Sequence, residues 1–113
     1  MKISLIIPSF QRANLLNLGL WSLTQQKINH DLEVIVLNDG VHDKTESICK
    51  SYKDKLNIKY IFTGQRNKYK TISRIPGYAL NIGVKQAEGE IIILSSPEIF
   101  HLNNTINYII EPL

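Results

Sequence analysis

The stretch from Thr63 to Arg74 carries Arg66, Lys68, Lys70 and Arg74 and no acidic residue. Without those four, the chain holds nine basic against ten acidic residues, so its net charge of +3 is gathered in one segment. Positive charge concentrated in this way captures anions. A basic loop that is simply solvated has the same composition. Three other segments bear groups suited to binding. Pro8-Ser9 can end a strand and cap a helix. Asn38-Asp39-Gly40 joins a carboxylate to a common turn pair. Ser95-Ser96-Pro97-Glu98 places hydroxyls and a carboxylate after an isoleucine-rich run. Neither a Gly-x-Gly-x-x-Gly turn nor a Gly-x-x-x-x-Gly-Lys-Ser/Thr loop occurs, so the two common phosphate cradles are disfavoured.

Something must bring these segments together. Lys2 to Ile7 and Leu32 to Leu37 are short apolar runs, the pattern of strands buried on both faces. Ile58 to Phe62 and Glu90 to Ser95 read as two more strands. Between them, Arg12 to Lys27 has Ala13, Leu16, Leu20 and Leu23 at the spacing of one helical face. Asp43-Lys44-Thr45-Glu46 has capping-box spacing, which predicts a helix to about Lys55. Pro76 suits the first turn of a helix running to Ala87 and stopping at Gly89. Its inner face is expected to be Ala79, Leu80, Gly83, Val84 and Ala87, with Gly83 allowing close approach to a strand. A weak helical pattern follows from Asn103 to Ile110.

Strands alternating with helices predict an α/β fold, a three-layer α/β/α sandwich with a mainly parallel sheet. Ligands in such folds sit beyond the carboxyl ends of the strands. Pro8 to Gln11, Asn38 to Val41, the basic loop and Ser95 to Glu98 all fall there. A chain of 113 residues, 43% hydrophobic and 20% charged, makes one domain over 1–113. Cys49 is alone and cannot form an internal disulfide, which fits a reducing compartment. No apolar run approaches the roughly 20 residues of a membrane span, and the N-terminus lacks a signal-peptide pattern. The expectation is a cytoplasmic protein, membrane-associated only through a longer parent. Trp21 is expected in the core or an interface.

Three motifs in this order resemble those of family 2 glycosyltransferases: Ile6-Ile7-Pro8-Ser9-Phe10-Gln11-Arg12, Asn38-Asp39-Gly40, and Ala79-x-Asn81-x-Gly83-x-x-x-Ala87-x-Gly89-Glu90. The resemblance covers nearly the whole chain but only the donor half of that family, and it implies a GT-A fold. It makes Pro8, Ser9, Phe10 and Arg12 one wall of a nucleotide pocket. It makes Asp39 an acceptor for a uracil ring N–H or the ribose, and Arg74 a bidentate cation for the donor diphosphate. Asn81 faces the nucleotide or bonds a neighbouring loop. The family closes its next strand on Asp-x-Asp, which grips ribose and a divalent metal. Here those positions read Ser96-Pro97-Glu98. Ser96 keeps a hydroxyl for ribose, and Glu98 keeps one hard oxygen ligand for Mn²⁺ or Mg²⁺. His101 is either a second ligand or a surface residue.

The implied function is binding of a nucleotide-diphospho-sugar, a UDP-sugar by the resemblance, for inverting transfer to an acceptor hydroxyl in bacterial polysaccharide biosynthesis. The family's acceptor site and catalytic base lie beyond the matched region. The chain is therefore expected to be a piece of a longer protein, or a module needing a partner, that binds nucleotide more readily than it transfers sugar. An apolar sheet edge suggests self-association. A nucleotidyltransferase shares a similar sheet but needs a glycine-rich basic loop after its first strand. The other alternative is a non-catalytic module binding a protein or polyanion through the basic loop. No nucleic-acid partner is expected.

Overall fold

A computed structural model describes residues 2–26, 30–63, 76–97 and 106. The strands are β1 (Lys2–Ser9), β2 (Asp31–Asn38), β3 (Asn57–Phe62) and β4 (Ile91–Leu94). The helices are α1 (Ala13–Thr24), α2 (Thr45–Ser51) and α3 (Pro76–Gln86). The four strands stand in the order β3-β2-β1-β4, and every neighbouring pair is parallel. Parallel neighbours need crossover connections, which is why a helix or a helix-bearing segment separates each strand from the next.

Both sheet faces are covered, so the central strands are apolar almost without alternation. On one face Ile3, Leu5, Ile7, Val34 and Val36 meet Leu16, Leu20 and Leu23 of α1 and Cys49 of α2. On the other, Ile6, Ile35 and Leu37 meet Leu80, Ile82 and Ala87 of the α3 segment. The result is the three-layer α/β/α sandwich expected from the order of elements. Each fully buried leucine or isoleucine side chain is worth roughly 1.5–3 kcal/mol of apolar burial.

Gly83 sits at a close contact between α3 and the sheet. A Cβ there would lie 2.6 Å from Ile6 Cγ2 and 2.9 Å from Leu37 Cδ1, so the expected close approach is real. With Gly83 central, Ile82 and Val84 flank the buried stripe on opposite sides. Ile82 packs against the core, while Val84 is 42% exposed. The expectation that Val84 faces inward is corrected: the glycine, not the valine, marks the middle of the contact.

Three further expectations change. The Asp43 carboxylate accepts the Thr45 backbone N–H at 2.9 Å, a turn two residues on, and α2 starts after Lys44 without a side-chain cap among the described residues. The spacing there makes a local turn rather than a capping box. Trp21 lies on the outer side of α1 at 48% exposure and is not a core residue. Gly89 lies beyond the end of α3 and is needed for a close contact, because a Cβ there would sit 2.6 Å from the Ser4 backbone nitrogen.

Candidate functional site

The carboxyl ends of β1, β2 and β3 form one edge. Ser9 pairs with Asn38, and Asn38 with Phe62, as the last rungs of the two ladders. The pairing continues one step past the strands. The Asp39 N–H donates to the Ser9 carbonyl at 2.9 Å, and the Thr63 N–H to the Asn38 carbonyl at 2.8 Å. Beyond β4, the Ser95 N–H donates to the Ile6 carbonyl at 2.8 Å, which brings Ser96 to the same edge on the far side of β1. Residues far apart in sequence therefore converge because four parallel strands end together.

The turn after β1 is shaped by sterics. Gln11 takes a left-handed conformation, with φ of 52°, and lets the chain reverse into α1. Phe10 packs on Gly40 so closely that a Cβ at Gly40 would lie 2.9 Å from its ring. Glycine in Asp39-Gly40 is thus a contact surface for the aromatic ring as well as a turn residue. The Ser9 hydroxyl is buried without a hydrogen-bond partner among the described residues. It does not cap α1, whose N-cap position is Arg12.

Asn38 and Asp39 have separate tasks. The Asn38 amide donates to the Val41 carbonyl and the Tyr60 hydroxyl, each at 3.0 Å, while its Oδ1 accepts the Gly40 N–H at 3.1 Å. These bonds fold the loop after β2. The Asp39 side chain is buried, and its Oδ1 accepts from the Thr63 hydroxyl at 3.0 Å. Next to this loop, the His42 and Phe62 rings stack at 3.8 Å between centroids.

Arg12 is placed differently from the other wall residues. It lines a cleft of about 480 Å³ between the start of α1 and the loop before α2, with Gln11, Asn14, Val41, Asp43 and Lys44. Pro8 lies in the last turn-ward part of β1, Asn81 is exposed on α3, and Ser96 is half-buried past β4. Arg74, Glu98, His101 and the basic loop lie outside the described residues. Among the described residues no group of three or more His, Cys, Asp or Glu side chains could hold a metal ion. No helix among them is long and apolar enough to cross a membrane.

Two residues with structural consequences escaped the sequence reading. Thr63 gave no signal, because its partner is 24 positions away. Glu33 did leave one: it is a lone charge within an otherwise apolar run, and its side chain is completely buried.

The comparisons agree with this geometry. The model of glycosyl transferase family 2 matches residues 4–113. The poly(ribitol-phosphate) beta-N-acetylglucosaminyltransferase TarS of Staphylococcus aureus is 34% identical over 94 residues, 82% of this chain and 15% of TarS. An uncharacterised glycosyltransferase of Rickettsia typhi is 34% identical over 111 residues, 98% of this chain and 31% of that protein. The crystal structure of S. aureus TarS 1-349 in complex with UDP-GlcNAc superposes with a TM-score of 0.80 at 29% identity, covering 99% of this chain and 30% of that one. The chain thus spans less than a third of the length of these relatives. Its parallel α/β sandwich has the GT-A architecture of the TarS structures, and the chain belongs to glycosyl transferase family 2.

Proposed function

We propose that this chain forms the donor-binding part of a glycosyltransferase and takes a nucleotide-diphospho-sugar, a UDP-sugar, at the carboxyl edge of its sheet. The observation that carries the reading is the meeting of Ser9, Phe10 and Asp39 on adjacent strand ends, with Asp39 buried and held by Thr63. A fixed, buried carboxylate suits a ring N–H donor, which uracil has. Phe10 offers an aromatic surface beside it. The orphaned Ser9 hydroxyl is of a kind that a bound ligand satisfies, since buried polar groups are nearly always paired. The complex of TarS with UDP-GlcNAc supports the same donor class here.

Pro8, Asn81 and Ser96 belong to this proposal as pocket residues, Arg12 as a cation beside it, and Arg74 as the diphosphate partner. Glu98 is proposed as the carboxylate for Mn²⁺ or Mg²⁺; when bound, such an ion neutralises charge on the leaving diphosphate. The parent reaction is proposed as inverting transfer to an acceptor hydroxyl of a bacterial surface polysaccharide, in the cytoplasm or at its membrane.

The test is calorimetric titration of UDP, with GDP as control, in Mn²⁺ and then in EDTA. UDP-selective binding strengthened by Mn²⁺ is the expected result. Selective binding indifferent to EDTA would remove the metal from the proposal and leave recognition to Asp39 and its neighbours. Binding of neither nucleotide would overturn the reading and favour an interaction module.

A further inference from the structure

Thr63 is the first residue past β3, and it is tied to the loop after β2 in two ways. Its backbone N–H donates to the Asn38 carbonyl at 2.8 Å, a bond that any residue except proline could make at this position. Its hydroxyl lies 3.0 Å from Asp39 Oδ1 and 3.2 Å from the Asn38 carbonyl. A hydroxyl has one proton to give, and a carboxylate is the stronger acceptor of the two. Asp39 is thus held from both sides: through its backbone by Ser9 of β1, and through its side chain by Thr63.

We propose that Thr63 is a positioning residue for the nucleotide site, its hydroxyl fixing the Asp39 carboxylate in the orientation that receives the base. The assignment rests on the nucleotide-binding reading above. An ionised carboxylate accepts at about four lone-pair sites. Thr63 takes one of them. Threonine is stiff at χ1 because it is branched at Cβ, and its backbone is already anchored to β2. The hydroxyl therefore presents a fixed donor. A carboxylate oriented in advance loses less freedom when the ligand arrives, which appears as tighter binding.

Thr63→Val keeps the shape, the branching and the backbone bond, and removes only the donor. Thr63→Ser keeps the donor. The experiment titrates UDP into the wild-type chain, both variants, Asp39→Ala and the double variant Thr63→Val/Asp39→Ala. Thr63→Val is expected to weaken UDP binding about tenfold, the scale of one hydrogen bond to a charged group. Thr63→Ser is expected to bind like wild type. In the Asp39→Ala background, which has no side-chain acceptor at position 39 for the Thr63 hydroxyl, Thr63→Val is expected to have no further effect, because its route of action is gone.

Wild-type affinity in Thr63→Val would overturn the assignment while leaving the donor-site reading intact. An equal loss in both backgrounds would show a general structural role and overturn it as well. Absence of UDP binding by the wild type would overturn the donor-site reading, and this assignment with it. Should Thr63→Val fail to fold, Thr63→Ala is the second hydroxyl-free variant, judged by the same cycle.

Discussion

Ser4 of β1 and Glu33 of β2 stand opposite each other in the sheet, and the Ser4 hydroxyl donates to Glu33 Oε2 at 2.5 Å. The same carboxylate oxygen accepts the Glu88 N–H at 2.6 Å, and the Gly89 N–H donates to the Ser4 oxygen at 2.8 Å. The Lys59 ammonium lies 3.1 Å from Glu33 Oε1 and 3.5 Å from Glu88 Oε1. A buried polar pair thus pins the connection between α3 and β4 to the sheet. It works at the opposite end from the candidate site.

Glu33→Gln is expected to destabilise the fold by about 1–3 kcal/mol, because buried donors would lose a charged acceptor. Burial alone pushes the Glu33 carboxyl up; the Ser4 hydroxyl, the Glu88 N–H and Lys59 outweigh it and hold it below its ordinary value. A carboxyl lowered on folding adds stability above its unfolded pKa and loses it as pH falls through the folded one. Urea unfolding should therefore show the wild type exceeding the variant at neutral pH. That advantage should shrink on acidification below the usual carboxylate range. A difference independent of pH would show that Glu33 acts through packing alone.

Gly89→Ala tests the tightness of the same junction. Its Cβ would lie 2.6 Å from the Ser4 nitrogen and 2.9 Å from the Ile3 carbonyl carbon, and backbone cannot swing aside as a side-chain tip can. A loss of about 1–3 kcal/mol is expected on the scale of overpacking. An unchanged melting temperature would mean that β4 has slack at its start.

Cys49 is buried on the inner side of α2, and burial pushes its thiol up to about 12. The thiolate is the reactive form. At pH 8 a disulfide reagent should therefore label Cys49 only after unfolding in denaturant. Rapid labelling of the native chain would show that α2 opens readily.

Among the described residues β4 is the outermost strand beside β1, and it leaves Ile92 40% and Leu94 57% exposed on the face it shares with α3. An apolar edge with open backbone groups favours pairing with another chain. Sedimentation should show association that rises with concentration, and Leu94→Lys should reduce it. A monomer at all concentrations would count against the edge as a contact.

The layers were legible because burial on two faces writes itself into local composition. Leu32 to Leu37 and Ile91 to Leu94 are nearly unbroken apolar runs, and Leu16, Leu20 and Leu23 recur at helical spacing. Asn38-Asp39-Gly40 and Pro8-Ser9-Phe10 were legible as strand ends, and parallel order alone then required them to share an edge. Gly83 announced a close contact because a glycine inside a helix needs a reason.

Side-chain partnerships were decided in three dimensions. Nothing local tells Thr63 that Asp39 is its neighbour, or Glu33 that Ser4 and the backbone of Glu88 await it; these follow from register between strands. The helical period placed Val84 on the inner face and left Ile82 off it, and the position of α3 over the sheet reversed that choice. Arg12 shares a cleft with Asp43 and Lys44 because the start of α1 and the loop before α2 lie side by side. Local patterns fix which residues are buried and which strand ends bear chemistry, since periodicity and turn geometry act over a few residues. Which groups then touch depends on strand order and register, which only the packed chain determines.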